Sequence, residues 1–580
     1  MRRRRCAAPP PLATVTVALA AVALAFAWHR LFLGVDLTDE GFAVAVPYRF
    51  ALGARPFVDE MNVLQTAAFF SYPFVKVYVA LRGATGIVLF MRHLYLLWTL
   101  VVAGVAWGAL RRVVRWEHAL LAALVCTTFV IATTSDLTYN TIGAGLLVIA
   151  MALGVRALVG NGGWRSLAGA GVAQALAALA YPSLIAVLPV SAVCLVVASG
   201  AGRRRPDLIS FGIGAACTLA GEALLLAAFG VSNVVRCLRY QLSDWGRLNS
   251  GGGPAKLWGV VDGAAGHLAL YPLVVAAALA LWVAYRRLPL ARLALVAAPL
   301  ALLPFGEQLV SGGDGFAVIY GLVAPYFALF VPAERRHQVT SLLLWGYLPS
   351  LAAGLVTGYT SASGWLQMDV GLLPAVVLSG VFLALALAPR GDEPARVRRT
   401  LPVLGVACLA GLLAVTVVYE YQFLPRAVPW SQLTATIHGG PYAGVRATPV
   451  RAAYLAQLRA DLDRVARPSD RLLVFYQAPA FYLFWSHRVA TNSVWISSVH
   501  GLDVNDDPGP LPPATLAYFA RSHVLPDIVI RLVNTTGLTD ATLRARFSAG
   551  LDCRVVLVRP QYVVFRRVAG GGFAAGGSAS

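Results

Sequence analysis

Asp36, Asp39, Glu40, Arg49, Arg55, Asp59, Glu60 and Lys76 crowd one segment of the chain, residues 34–82, and Arg92, His93 and Asp136 stand at the ends of apolar runs further on. A carboxylate set against a partly desolvated surface has its pKa raised toward the range of a useful general base. Arginine offers bidentate donors to an anion and lysine a point charge. An acid-rich loop is most often simply solvated. Position argues otherwise here: Asp39 and Glu40 follow directly on an apolar run, and Asp136 lies in a tight turn between two others. Ionisable groups at such edges tend to line cavities or pathways.

The elements that position these groups are membrane helices. The chain has 580 residues, 58% of them hydrophobic and 13% charged, with a mean hydropathy of +0.70. A soluble protein carries about 25% charged residues, so this chain has too little polar surface to be one. Apolar runs recur from Pro11 to Val418, several of them long enough to cross a bilayer core. The net charge of +20 comes almost wholly from arginine, with Lys76 and Lys256 as the lysines. With abundant Ala, Gly, Pro and Val, that composition suggests a GC-rich bacterial source. The arginines lie in short segments between apolar runs, as loops on the cytoplasmic side do, which argues against a nucleic-acid partner.

Placing Arg2–Arg5 inside and following the chain gives about thirteen transmembrane helices. Arginines recur inside at 111–115, 156–165, 203–205, 286–292, 335–336 and 390–399. The first run, about 12–33, is too long for a signal h-region and reads as an uncleaved helix. Segment 34–82 falls outside, with an amphipathic helix lying in the interface. Later helices cover about 87–110, 117–134 and 400–419, and everything after Tyr419 lies outside. Cys237 and Cys553 would share that oxidising side and could pair.

After Tyr419 the pattern changes. A polar helix is expected over Pro449–Arg467, with others near Pro513–Ser522 and Thr539–Ser548. Strands are expected at Arg471–Tyr476, Asp527–Val533, Cys553–Val558 and Tyr562–Phe565, which makes a small α/β domain. The fold class is thus a polytopic α-helical membrane protein, residues 1–420, with an extracytoplasmic α/β domain at 421–569 and a disordered Gly/Ala/Ser tail at 570–580.

The run Asp36-Leu-Thr-Asp39-Glu40-Gly41-Phe42 after the first helix resembles the acidic signature of the GT-C glycosyltransferase superfamily. The resemblance extends to Gly53–Asp59, to Asp136 between helices 3 and 4, and to the plan of the lipid A aminoarabinose transferase and protein mannosyltransferase groups. It implies a membrane glycosyltransferase, hexosyl or pentosyl. Such an enzyme moves a sugar from a polyprenyl phosphate to an envelope lipid, glycan or protein on the outer side of the plasma (inner) membrane. It implies Asp39 as the base, Glu40 as its helper and Asp136 as the third acid. Arg92, Lys76 and Arg55 are the candidates for the donor phosphate. Asp36, Arg239 and Trp245 are further pocket candidates, the last two from an outside loop that could equally be an interfacial belt. Members differ in metal use; Mg²⁺ or Mn²⁺ would fall to Asp39 and Asp136.

The alternative class is a transporter or lipid flippase, which places ionisable groups near the bilayer midplane on broken, repeated helices. Glu222 and Glu307 are the residues that suit it, but no internal repeat is visible. Asp503–Gly509 has alternating oxygen ligands, but lacks the spacing of a calcium loop and reads as a turn.

Overall fold

The computed structural model describes residues 10–568 except 132–134, 160–161, 241–252, 269–279, 281–315, 362, 390–392, 394, 420–427, 476–477, 487, 496–512 and 533–552. Nine helices open the described chain: α1 (Pro10–Arg30), α2 (Asp39–Ala51), α3 (Ala68–Arg82), α4 (Ile87–Leu110), α5 (Trp116–Thr128), α6 (Tyr139–Leu158), α7 (Gly163–Ala180), α8 (Val187–Ala198) and α9 (Arg204–Ala228). Later helices include Leu348–Thr360, Met368–Ala386 and Ala395–Tyr419. Among the described residues, seven helices are long and apolar enough to cross a membrane. A helix bonds its own backbone internally, which is what a span in lipid requires. The arginines of 286–292 lie outside the described residues.

The loops between spans sort onto two faces. On one, Tyr139 meets Tyr181 edge-on at 5.2 Å, Thr360 bonds Ser183, and Gln367 donates to Asn140 at 2.7 Å. On the other, His118, just after the arginines of 111–115, bonds the Pro402 carbonyl, just after Arg398 and Arg399. This separation is what the alternation of arginine-rich loops requires of a multi-pass membrane protein.

Helix α5 stops at Thr128, short of the expected 134. Arg30, at the end of α1, donates to the Thr127 and Thr128 carbonyls and so caps the last turn. Residues 129–131 and 135–138 then run as irregular, buried backbone, which is tolerated in a membrane protein only where other protein covers it.

Segment 34–82 differs from the expected interfacial loop. Helix α2 is almost wholly buried, wedged between the bundle and the C-terminal domain. Helix α3 instead carries the exposed apolar face, with Phe74, Val77 and Leu81 open.

The C-terminal domain has strands β1 (Ala435–Thr436), β2 (Arg446–Ala447), β3 (Leu472–Phe475), β4 (Ile528–Leu532), β5 (Cys553–Val558) and β6 (Tyr562–Arg567). β1 and β2 pair with each other, and the remaining four form a sheet in the order β3-β4-β6-β5. β3 runs parallel to β4, and the other pairs are antiparallel. Helix Pro449–Val465 packs beside it, anchored by Asp461, which accepts from Arg559, Arg464, Gln457 and Tyr562. The strands lie where the β-rich runs placed them. The expected helix at Thr539–Ser548, the Asp503–Gly509 turn and the 570–580 tail lie outside the described residues. The pairing of Cys237 with Cys553 that the sequence allowed without requiring is not formed: the Cys237 thiol donates to the Met61 carbonyl at 2.8 Å.

Candidate active site

The acidic segment begins with a cap. The Asp36 carboxylate accepts from the Thr38 amide and hydroxyl at 2.8 and 2.6 Å and from the Glu40 amide at 3.0 Å. It thereby satisfies backbone donors that the first turn of α2 leaves open. Burial and the neighbouring Glu40 push the Asp36 carboxyl above its usual range.

Asp39 and Glu40 are consecutive in a helix, so their side chains point about 100° apart. Glu40 is buried and bonds Arg92 at two points, Nε to Oε1 at 2.6 Å and Nη2 to Oε2 at 2.8 Å. Arg92 also donates to the carbonyls of Leu31, Leu33 and Gly34. It therefore staples the turn after α1 to α4, and its guanidinium is not open to a donor phosphate as the sequence had suggested. The Asp136 side chain is fully buried beside Glu40, and neither of its oxygens meets a hydrogen-bond donor among the described residues. Desolvation and the Glu40 charge hold its carboxyl well above the ordinary range, against the lowering effect of Arg92.

Asp39 stands differently. It is half-buried, and burial followed by the charge of Asp36 raises its pKa to about 7. On α2 it shares a face with Phe42, Ala43 and Val46, at the 3- and 4-residue spacing of a helix stripe. Those three line an apolar cleft with Leu64, Gln65, Ala67, Ala68, Leu137, Thr138 and Tyr139, and Asp39 precedes them by one turn on the same helix face.

Of the remaining expected cations, Lys76 is exposed on α3, its ammonium 5.7 Å from the Tyr72 ring centre. Ala68, Tyr72 and Lys76 follow one another along a face of α3, and Ala68 is a cleft residue. Arg55 is exposed and paired with Asp59 at 3.3 Å. Arg239 is exposed on the helix Val231–Tyr240, whose Cys237 touches Met61 and Gln65. Trp245 lies outside the described residues. The geometry thus gathers Asp36, Glu40, Arg92 and Asp136 into one buried cluster and leaves Asp39 alone at the cleft.

A divalent cation does not suit this donor set. The oxygens of Glu40 lie on Arg92 and those of Asp36 on the start of α2, while the charged neighbour of Asp39 is Asp36 rather than Asp136. Among the described residues no three His, Cys, Asp or Glu side chains come together as ligands.

Several residues have contacts at the site that the sequence did not assign. Tyr139 stands between Asp39 on one side and Tyr181 and Asp369 on the other; Asp369 opens the helix Met368–Ala386, and an acid heading an apolar run was its sequence signal. Phe42 packs edge-on to both Tyr139 and Trp495. Gly41 lies against the C-terminal domain so closely that a Cβ there would fall 2.6 Å from the Ala480 amide nitrogen. A second buried ion pair, Arg49 to Glu60 at 3.3 Å, joins the same domain: Arg49 also donates to the Thr491 carbonyl, and Glu60 accepts from the Val494 amide.

No family model and no curated protein sequence matches the chain. Among solved structures, the chain is similar to ArnT from Cupriavidus metallidurans bound to undecaprenyl phosphate, with 15% identity over 96% of this chain and 98% of that one and a TM-score of 0.53. An apo oligosaccharyltransferase from Archaeoglobus fulgidus aligns over 96% of this chain and 74% of that one, at 12% identity and a TM-score of 0.48, too low to argue from. The overlay with ArnT runs nearly end to end in both chains, bundle and C-terminal domain together, and the chain shares the fold of that protein.

Proposed function

We propose that the protein is a membrane glycosyltransferase that moves a sugar from a polyprenyl phosphate to a hydroxyl of an envelope acceptor, with Asp39 as general base. One observation carries the reading: a half-buried carboxylate with a pKa near 7 stands one helix turn from an apolar cleft, on a fold shared with ArnT. Asp39 takes the acceptor proton as the acceptor oxygen bonds the anomeric carbon, and the bond from that carbon to the phosphate oxygen breaks. The polyprenyl phosphate leaves carrying the electron pair. Lys76, two turns along α3 from the cleft residue Ala68, is our choice to meet the phosphate.

Glu40, Arg92 and Asp136 act beneath the site as a buried frame. The acid-bearing face is the extracytoplasmic one, with the N-terminus inside and the plasma membrane as the host bilayer. ArnT was solved with undecaprenyl phosphate, which supports a carrier of that class. The transporter reading has less support, because the clustered ionisable groups lie at the loop face and not at mid-span.

The test is transfer by the purified protein from a panel of labelled polyprenyl-phosphate sugars to an envelope extract, alongside Asp39→Asn. Product from the wild type and none from a folded Asp39→Asn supports the reading. Equal product from both would remove Asp39 from its role. No product from any donor, together with sugar-lipid flipping in liposomes, would favour the transporter.

A further inference from the structure

We infer that Tyr442, from the C-terminal domain, is a positioning residue of the active site, holding the start of α2 so that Asp39 faces the cleft. The catalytic half of this inference rests on the transferase reading above; the holding half does not.

Tyr442 belongs to the turn Gly439-Gly440-Pro441-Tyr442-Ala443-Gly444. Gly440 and Gly444 have φ of +70° and +89°, a backbone region that suits glycine. The turn is pinned to the head of α4, where the Gly86 amide donates to the Gly440 carbonyl at 3.0 Å and the Val88 amide to the Pro441 carbonyl at 3.2 Å. It is closed on itself as well, with the Gly444 amide bonding the Ile437 carbonyl at 2.8 Å. A rigid turn thus carries the tyrosine into the bundle.

The Tyr442 side chain is completely buried, its ring stacked near Phe484. Its hydroxyl donates to the Asp36 main-chain carbonyl at 2.7 Å. The Asp36 carboxylate in turn holds the Thr38 and Glu40 amides. Tyr442 therefore fixes the backbone of the residue whose side chain fixes the first turn of α2, and Asp39 lies in that turn. Burial and the nearby Glu40 and Asp36 keep the phenol protonated, so the donor is present at every working pH. The Ala480 amide adds a second main-chain bond to the same segment, to the Leu37 carbonyl. The C-terminal domain is thereby a wall of the active site and not an appended module.

The experiment compares full-length wild type and Tyr442→Phe in lipid nanodiscs by hydrogen–deuterium exchange and by kinetics. Phenylalanine fills the same space, so the fold is kept and one hydrogen bond is lost. Losing one neutral hydrogen bond predicts exchange in peptides covering 36–41 roughly tenfold faster, with peptides from β3–β6 unchanged. With an active donor, kcat should fall roughly tenfold and KM stay within about twofold, the pattern of a lost transition-state geometry. Unchanged exchange at 36–41 would overturn the holding role whether or not a donor is known. Faster exchange with unchanged kcat would overturn the catalytic role. A wild type inactive with every donor counts against the transferase reading, and the exchange data still decide the contact.

Discussion

Arg92 on α4 and Glu40 in the first turn of α2, 52 residues apart, form a two-point ion pair sealed from solvent, with N–O separations of 2.6 and 2.8 Å. Burial of two charges is offset only by close geometry and by bonds to the remaining donors, which the carbonyls of Leu31, Leu33 and Gly34 provide. Arg92→Lys removes the fork and leaves carbonyls unmet. It should destabilise the protein by ~3 kcal/mol, as expected when a buried pair is broken, read as a lowered midpoint in thermal melts in detergent. Glu40→Gln should cost less, because the amide keeps one acceptor for the guanidinium.

Asp39 gives a prediction with opposite signs for rate and stability. The base form is needed, so the rate should rise with pH through an apparent pKa near 7. Folding raises the pKa above its usual 3.8, so the stability this group contributes is full below about pH 4 and is lost as pH climbs through 7. Asp39→Asn should therefore be inactive yet melt higher than wild type at pH 8, with the difference gone at pH 4. A lower melting point for the variant at pH 8 would contradict the desolvated carboxylate.

Asp136 is buried without a donor for either oxygen, and burial and the Glu40 charge favour its neutral form. Asp136→Asn replaces a neutral group by a neutral isostere and should fold with a melting midpoint close to wild type. Asp136→Ala empties the space and should cost about 1–3 kcal/mol. Equal loss in both variants would show that the negative charge itself is required.

Gly41→Ala tests how the domains meet. The added Cβ would lie 2.6 Å from the Ala480 nitrogen and 3.0 Å from its Cα, both main-chain atoms that cannot swing aside. Overpacking of this kind costs about 1–3 kcal/mol. The expected result is a C-terminal domain cut more readily by protease, with the helical bundle intact. An unchanged digestion rate would place the contact elsewhere.

Much of this protein was legible from its residues alone. Apolar runs of membrane length, broken by arginine, fixed the bundle and its two faces, because lipid enforces both helix length and loop charge. Alternating β-rich stretches located the strands of the tail to within a residue or two at several ends. The acids of 36–40 stood out because charge beside an apolar run is costly unless used.

Tertiary structure decided the roles. Arg92 read as a phosphate ligand because sequence shows a charge and not its partners; in three dimensions Glu40 and three carbonyls consume it. Asp39 and Glu40 read as one pair because they are adjacent, and the 100° step of a helix separated them. The contacts of Tyr442 and Gly41 were not legible because their partners, Asp36 and Ala480, are hundreds of residues away, and a hydrogen bond or a close approach at that range leaves no local pattern.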